Sequence, residues 1–291
     1  MKLPPFDYAC PTSLAEAVAL LAAHDGEAKA LAGGQSLVPM LAFRVAAPSL
    51  LVDLRKLAPL RQIKIADDGV ALGAAVTLGA MVRWSDILKD EPLRQAHPLL
   101  VAAVEHVAHY QIRNRGTVGG SLAHADPAAE LPGLAVACDA DIAVIGKAGE
   151  RRIAAKDFFR GPLMTALTAD EIITALHFPA WPSGRRFGFA EFARRRGDFA
   201  LAAAAVFYDQ DGEGRARDAR VGAIGVADRP LRLTAVETVL NGRRIDDAGI
   251  IEAEVAASAA VDPAGDIHAS GVYRKALIGV MVERALRAAA A

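Results

Sequence analysis

The chain has 291 residues, 53% of them hydrophobic, and carries 33 Lys and Arg against 34 Asp and Glu, a formal charge of −1. That length suits one large domain or two ordinary ones, and the apolar fraction can fill a sizeable core. There is no basic excess for non-specific nucleic-acid binding, and no apolar window reaches the roughly eighteen residues of a membrane span, so neither partner is expected. The first residues, Met1-Lys2-Leu3-Pro4-Pro5-Phe6-Asp7, hold no apolar signal core, and a cytoplasmic protein is expected. Only Cys10 and Cys138 are present. An iron–sulfur cluster needs about four thiolates, and two cysteines imply no disulfide framework.

Taken in order, Ser13-Leu14-Ala15-Glu16 reads as a capping box, with Leu14, Val18 and Leu21 on one helical face and Asp25-Gly26 as the stop. Ala28 to Leu31 reads as a buried strand, Ser36 as the cap of a short helix through Leu41, and Ser49 to Leu54 as the next strand. Ile63-Lys64-Ile65 and Val70-Ala71-Leu72 flank Asp68-Gly69, a hairpin signal. Thr77 is expected to cap a helix from Leu78 to Trp84, and Leu99 to Ala108 and Leu131 to Ala137 read as further helices. Ala140 to Ile145 and Arg151 to Ile153 form a hairpin around Lys147-Ala148-Gly149, and Glu171 to Phe178 is a strand. Pro179 to Gly184 reads as a boundary. Strands Phe187 to Ala193, Ala200 to Tyr208 and Ala219 to Val226 follow, then helices near Leu231 to Leu240, Ala248 to Ala260 and Val272 to Ala290. Strands followed by helices argue for a separate α+β domain.

Two stretches carry the candidate chemistry. One is Leu31-Ala32-Gly33-Gly34-Gln35-Ser36-Leu37-Val38-Pro39; the other runs from Ile112 to Pro127 through Arg115-Gly116-Thr117-Val118-Gly119-Gly120-Ser121. Both place a Gly-Gly pair beside a hydroxyl or amide side chain where an apolar segment meets a helix start. Paired glycines let backbone approach a ligand closely, and successive free N–H groups make a concave nest for an anion such as pyrophosphate. A Gly-Gly pair alone is more often a simple turn. Neither stretch is a Rossmann fingerprint or a P-loop.

Together, and in this order, the two stretches resemble the paired flavin-binding motifs of the FAD-binding medium subunits of molybdenum hydroxylases, the carbon monoxide dehydrogenase and xanthine dehydrogenase family. The similarity extends from Phe6-Asp7-Tyr8 through Arg194-Arg195-Arg196-Gly197-Asp198-Phe199-Ala200 to Tyr273-Arg274-Lys275-Ala276-Leu277. The resemblance implies an α+β chain. Its FAD-binding domain over residues 1–178 is divided near residue 55 into a small α/β unit and a larger unit with an antiparallel sheet. A C-terminal domain of antiparallel strands and helices covers 185–291. It implies that Ala32, Gly33, Gly34, Gln35 and Ser36 cradle the FAD pyrophosphate through backbone amides, and that Thr117, Val118, Gly119, Gly120 and Ser121 do so from the other side, with the Thr117 and Ser121 hydroxyls as added donors. Ser121 stands where many relatives have Asn. Glu130 stands where the family has Asp, at the ribose or adenine end. Thr77 lies in a segment that passes the flavin side, Phe189 aligns with an aromatic position against the isoalloxazine, and Asp198 stays near the flavin ring.

By the same resemblance the chain is an oxidoreductase subunit with no catalytic acid or base of its own. Electrons pass from iron–sulfur clusters of a small subunit, fed by a molybdopterin centre in a large subunit, through FAD to an external acceptor. The expected assembly is a dimer of heterotrimers. The alternatives are a self-contained flavin oxidoreductase, a flavin-free assembly module, and a hydrolase using the central loop, where His124 stands beside Asp126, the last without a G-x-S-x-G elbow. His106 and His109, three apart, can share a helical face, but no third ligand accompanies them and no metal site is expected.

Overall fold

The computed structural model describes residues 2–67 and 74–291. Its first unit alternates strands and helices: β1 (Asp7–Ala9), α1 (Leu14–Ala23), β2 (Ala28–Leu31), α2 (Leu37–Ala42) and β3 (Leu50–Asp53). The three strands form a parallel sheet in the order β1-β3-β2. At the start of α1 the Ser13 hydroxyl accepts from the Glu16 amide at 3.2 Å, and the Glu16 carboxylate accepts from the Thr12 amide at 2.9 Å. The box therefore reaches one residue further back than the sequence pattern implies. Ala17, Val18 and Leu21 of α1 are buried against Leu50, Val52 and Leu54, with Met81 and Ile172 from the second unit closing the same cluster.

The second unit is a five-stranded antiparallel sheet with helices on one face. Its elements are β4 (Ile63–Asp67), β5 (Ala74–Gly79), α3 (Trp84–Lys89), α4 (Glu91–Ala96), α5 (Pro98–Val104), α6 (Tyr110–Arg113), α7 (Val118–His124), α8 (Glu130–Ala137), β6 (Asp141–Gly146), β7 (Gly149–Ala154), α9 (Ala155–Phe158), β8 (Phe159–Gly161), β9 (Met164–Thr165) and β10 (Ile172–Trp181). The sheet order is β4-β5-β10-β6-β7. Alternation assigns Val76, Leu78, Ile142, Val144, Leu176 and Phe178 to the covered face, where they meet Leu99, Leu100, Val118, Leu122 and Leu134 of the helices. The β6–β7 hairpin forms as its residues predict, with Gly149 at φ +104° in the turn. The Asp68-Gly69 turn and the Val70-Ala71-Leu72 segment lie outside the described residues.

One expectation fails here. Residues 74–79 are a strand paired with both β4 and β10, so Thr77 caps no helix; the helix begins only at Trp84. The apolar run Ala74 to Met81 is short enough to read either way, and cross-strand pairing with Ile63, Ile65, Leu176 and Phe178 decides it.

The third unit comprises β11 (Arg186–Phe192), β12 (Ala202–Gln210), β13 (Ala216–Ile224), β14 (Leu231–Arg232), α10 (Thr234–Leu240), α11 (Asp247–Ala259) and α12 (Gly271–Ala290), its strands an antiparallel meander in sequence order. Every residue of β12 from Ala202 to Tyr208 is buried, because both sheet faces are covered. One face meets α12, where a side chain at Gly188 would overlap the Ala285 carbonyl. The other meets α8, where a Cβ at Gly222 would stand 2.6 Å from that of Ala137. Small residues at these contacts let helix and sheet backbones come close, which explains the alanines of β12. Trp181, at the end of β10, stacks on His97 at 4.5 Å and on Phe207 of β12 at 5.1 Å, so the second and third units share one core.

Arg274, in the first turn of α12, is nearly buried and donates to the carbonyls of Leu201 (2.8 Å) and Gly225 (2.9 Å) and to the Asp266 carboxylate (2.7 Å). It ties the start of β12 and the end of β13 to the last helix. Arg274→Met removes these donors and leaves two carbonyls unpaired. The expected loss is about 3 kcal/mol of folding stability, read from the shift in urea midpoint at unchanged m-value.

Candidate functional site

The loop after β2 and the loop before α7 meet backbone to backbone. A side chain at Gly33 would overlap the Arg115 carbonyl and lie 3.0 Å from the Gly116 Cα, and a Cβ at Gly120 would sit 3.7 Å from that of Ala32. Gly34 has φ +73°, a conformation that only glycine adopts without strain. The amides of Gly33, Gly34, Gln35 and Ser36 donate no hydrogen bond within the chain among the described residues. Ser36 occupies the N-cap position of α2, yet its hydroxyl makes no capping bond. The expected cap is absent because Ser36 already has helical dihedrals (φ −106°, ψ −48°), whereas a capping side chain reaches back from extended backbone. The Gln35 side chain braces the loop by donating to the Gly33 carbonyl at 3.1 Å. The first motif is therefore a run of half-buried donors without intramolecular partners.

The second motif is built differently, and its expected role is corrected in one respect. The amides of Val118, Gly119, Gly120 and Ser121 are already used. Val118 donates to the Val82 carbonyl (3.0 Å), Gly119 to that of Ala80 (2.8 Å), Gly120 to the Thr117 hydroxyl (3.1 Å) and Ser121 to the Thr117 carbonyl (3.0 Å). Thr117 is the N-cap of α7, in extended conformation. Gly119 is glycine because α7 lies on the loop after β5, where a Cβ would stand 2.7 Å from that of Ala80. What this motif leaves free toward a ligand is hydroxyl chemistry. The Thr117 Oγ1 accepts from Gly120 and keeps its own hydrogen to donate, and the Ser121 hydroxyl has no partner among the described residues.

Helix α7 ends at Ala125, in the left-handed region at φ +52°. The next turn carries Asp126, whose carboxylate accepts from the Ala128 amide at 2.9 Å, and leads to Glu130 at the first position of α8. Glu130 is 6% exposed. Burial, reinforced by the Asp126 charge, pushes its carboxyl up to about 7. Strand β11 brings Phe189 and Glu191 to the same region, with the Phe189 ring 5.0 Å from the His106 ring and packed on Ala200, Ala203 and Ile224. Asp198 lies in the turn after β11, where its amide donates to the Arg195 carbonyl at 3.1 Å. Its neighbour Gly197, at φ +89°, is pressed against His109. Glu191 is the residue that sequence reasoning passed over. The signal was present: a lone carboxylate on a strand between Phe189 and Phe192.

Thr77 does not join this group. It projects from the uncovered face of the five-stranded sheet, where its hydroxyl pairs with His177 Nδ1 at 2.9 Å. There it lines a cleft of about 570 Å³ with Lys64, Gln62, Arg152 and Thr174, while α7 lies on the covered face. The structure thus does not bring Thr77 together with α7, which lies across the sheet from it.

No hydrogen bond links Ser121, His124 and Asp126 among the described residues, so the geometry of a hydrolytic triad is not formed. Among those residues no cluster of three or more His, Cys, Asp or Glu is placed to hold a metal. Cys138 is buried, its thiol pushed up by that burial. No helix is long and apolar enough to cross a membrane among the described residues.

The chain is similar to known proteins over nearly its whole length. Residues 4–181 match the family described as the FAD binding domain in molybdopterin dehydrogenase, and residues 187–289 match the CO dehydrogenase flavoprotein C-terminal domain. The chain is 39% identical over 286 residues to the nicotine 6-hydroxylase medium subunit of Paenarthrobacter nicotinovorans, covering 98% of each chain. It is 35% identical to the carbon monoxide dehydrogenase medium chain of Hydrogenophaga pseudoflava, covering 98% of this chain and 97% of that one. Its fold superimposes on a chain of the carbon monoxide dehydrogenase structure from H. pseudoflava with a TM-score of 0.94 at 36% identity, covering 99% of this chain and 98% of that one. Quinoline 2-oxidoreductase from Pseudomonas putida 86 gives 0.93 at 37%, covering 100% and 98%. Partnerless donors at the first motif, with no Cβ between the two loops, suit an extended anionic dinucleotide. The chain belongs to the FAD-binding subunits of the molybdenum hydroxylase family, the oxidoreductases that include carbon monoxide dehydrogenase.

Proposed function

We propose that this chain holds FAD along the junction of its two glycine motifs, and that through this cofactor electrons from iron–sulfur clusters of a small partner subunit reach an external acceptor. The substrate of the assembly is then oxidised at a molybdopterin centre in a large partner subunit. The observation that carries the reading is the backbone contact of Gly33 with Arg115 and Gly116, beside four amides that have no partner among the described residues.

The amides of Gly33, Gly34, Gln35 and Ser36, with the Ser36 hydroxyl, hold the pyrophosphate. Thr117 and Ser121 donate from the facing loop, while Val118, Gly119 and Gly120 set the position of that loop. Ala32 shapes the contact between the two. Glu130, Phe189 and Asp198 belong to the same site at the far end of α7. FAD, when bound, supplies exchange of one or two electrons; the protein supplies binding, orientation and local electrostatics. We divide the chain into an FAD-binding part, 1–178, and a C-terminal part, 185–291, a division that the family matches over 4–181 and 187–289 support.

The need for partners follows from the chain's own inventory. Cys10 and Cys138 are too few for a cluster, which takes about four thiolates. The relatives named medium subunit or medium chain are parts of larger assemblies. Exposed Val38, Phe43, Val45 and Tyr110, on and near the glycine-motif loops, offer apolar surface on this side of the chain.

Two measurements test the proposal. Gly33→Ala places a methyl into the Arg115 carbonyl and is expected to weaken FAD binding by about tenfold or more, by forcing the loops apart. Equilibrium dialysis decides it, and unchanged affinity removes the junction as the site. Co-purification from the native host, followed by mass spectrometry, is expected to recover a cluster-bearing small subunit and a molybdopterin-bearing large subunit in a dimer of trimers. A native monomer that reduces its flavin from a soluble substrate makes the chain a self-contained oxidoreductase instead.

A further inference from the structure

Glu191 is a buried acid that the site as described leaves without work. It follows Phe189 by two positions on β11, so alternation directs both side chains to the same face. Its side chain is 4% exposed. The Oε2 atom has no hydrogen-bond partner among the described residues, and Oε1 comes no closer to His106 Nδ1 than 3.8 Å, beyond hydrogen-bond reach. Buried polar atoms are nearly always paired in native proteins, and an orphan calls for a ligand or an ordered water.

The groups around it do not supply a counter-charge. Glu130, on α8, is the other buried acid of the cluster, with Asp126 in the turn before it. On the opposite side is the His106 imidazole, held neutral by burial and by the Arg196 charge, with Glu105 opposing that effect. Burial first, and then the Glu130 charge, push the Glu191 carboxyl up to about 8. At neutral pH it is therefore a carboxylic acid, with one O–H to give. Nothing among the described residues accepts that hydrogen.

We propose that Glu191 is a further cofactor-contacting residue, whose carboxyl in its acid form donates a hydrogen bond to an acceptor atom of bound FAD and thereby makes FAD binding proton-linked. The proposal rests on the reading that FAD extends from the glycine motifs to Phe189. The sign follows from the donor. Affinity is full while Glu191 is protonated and falls once pH exceeds the value of the free site, because the carboxylate has no hydrogen to give and repels the cofactor's phosphates.

The test is FAD affinity of the full chain, stripped of cofactor, measured by flavin fluorescence across pH, with far-UV circular dichroism confirming the fold at each point. The dissociation constant is expected to rise about tenfold between roughly pH 7 and pH 9. Glu191→Gln keeps an N–H donor and cannot titrate, so its profile is expected to be flat over that interval. Glu191→Ala is expected to bind about tenfold more weakly at neutral pH, and also without the slope. The wild-type profile needs no variant, so a folding defect in either substitution does not remove the test. A flat wild-type profile, or the same slope in Glu191→Gln, overturns the proposal alone, provided Gly33→Ala still weakens binding. Full binding by Gly33→Ala overturns the site reading and this proposal with it.

Discussion

The structure depends on one close approach, that of the loop after β2 to the loop before α7. Gly33 lies against the Arg115 carbonyl and the Gly116 Cα with no room for a methyl group. These loops come from different units: one ends a strand of the small parallel sheet, the other starts a helix on the antiparallel sheet. Bringing two backbones into contact confers no hydrophobic gain by itself. It is held by the cores on either side, through Met81 and Ile172 in the α1 cluster and Val118 and Leu122 in the larger one. The result is a seam lined by amides on one side and hydroxyls on the other.

The two halves of that seam are specialised in opposite ways. The first motif leaves its amides free because Gly34 turns the chain in the left-handed region, and Ser36 enters α2 without closing a cap. The second uses the amides of Val118 and Gly119 to fix α7 onto the loop after β5 and those of Gly120 and Ser121 to close its first turn on Thr117, and offers hydroxyls instead. A rigid wall facing a wall of unpaired donors is a sensible division for binding an anionic chain, since only one side needs to be polar enough to replace water. At the far end of α7, Glu130 and Glu191 are buried with no Lys or Arg paired to either among the described residues. Burial raises both carboxyls, and the Glu130 charge raises Glu191 further.

The third unit closes this end of the site. Strand β11 supplies Phe189 and Glu191, and its meander is clamped between α8 and α12 by small-residue contacts at Gly188, Gly222 and Gly133. Arg274 reaches from α12 to the carbonyls of Leu201 and Gly225, and the Gly225 amide donates to Pro127 in the turn after α7. A chain of hydrogen bonds thus links the last helix to the turn that carries Asp126.

Much of this was legible in the residues. The glycine pairs, their order and their tails pointed to the family, and period-two and helical patterns located most strands and helices to within a few positions. The capping box at Ser13, the β6–β7 hairpin and the meander from Phe187 onward are local patterns, and local chemistry decides them. Three features were not legible, for one shared reason. Thr77 reads as a helix cap until pairing with Lys64 and His177 makes it a strand residue on the outer face. The amides of Gly119 and Gly120 look free in sequence but are taken by Ala80 and Thr117. Glu191 looks like a surface charge until α8 and the segment after α5 bury it beside Glu130. The sequence by itself determined which backbone could approach closely, because the absence of a Cβ is a property of the residue. Only the tertiary structure decided which donors and acids stay unpaired, because a partner distant in sequence is what satisfies or strands a polar group.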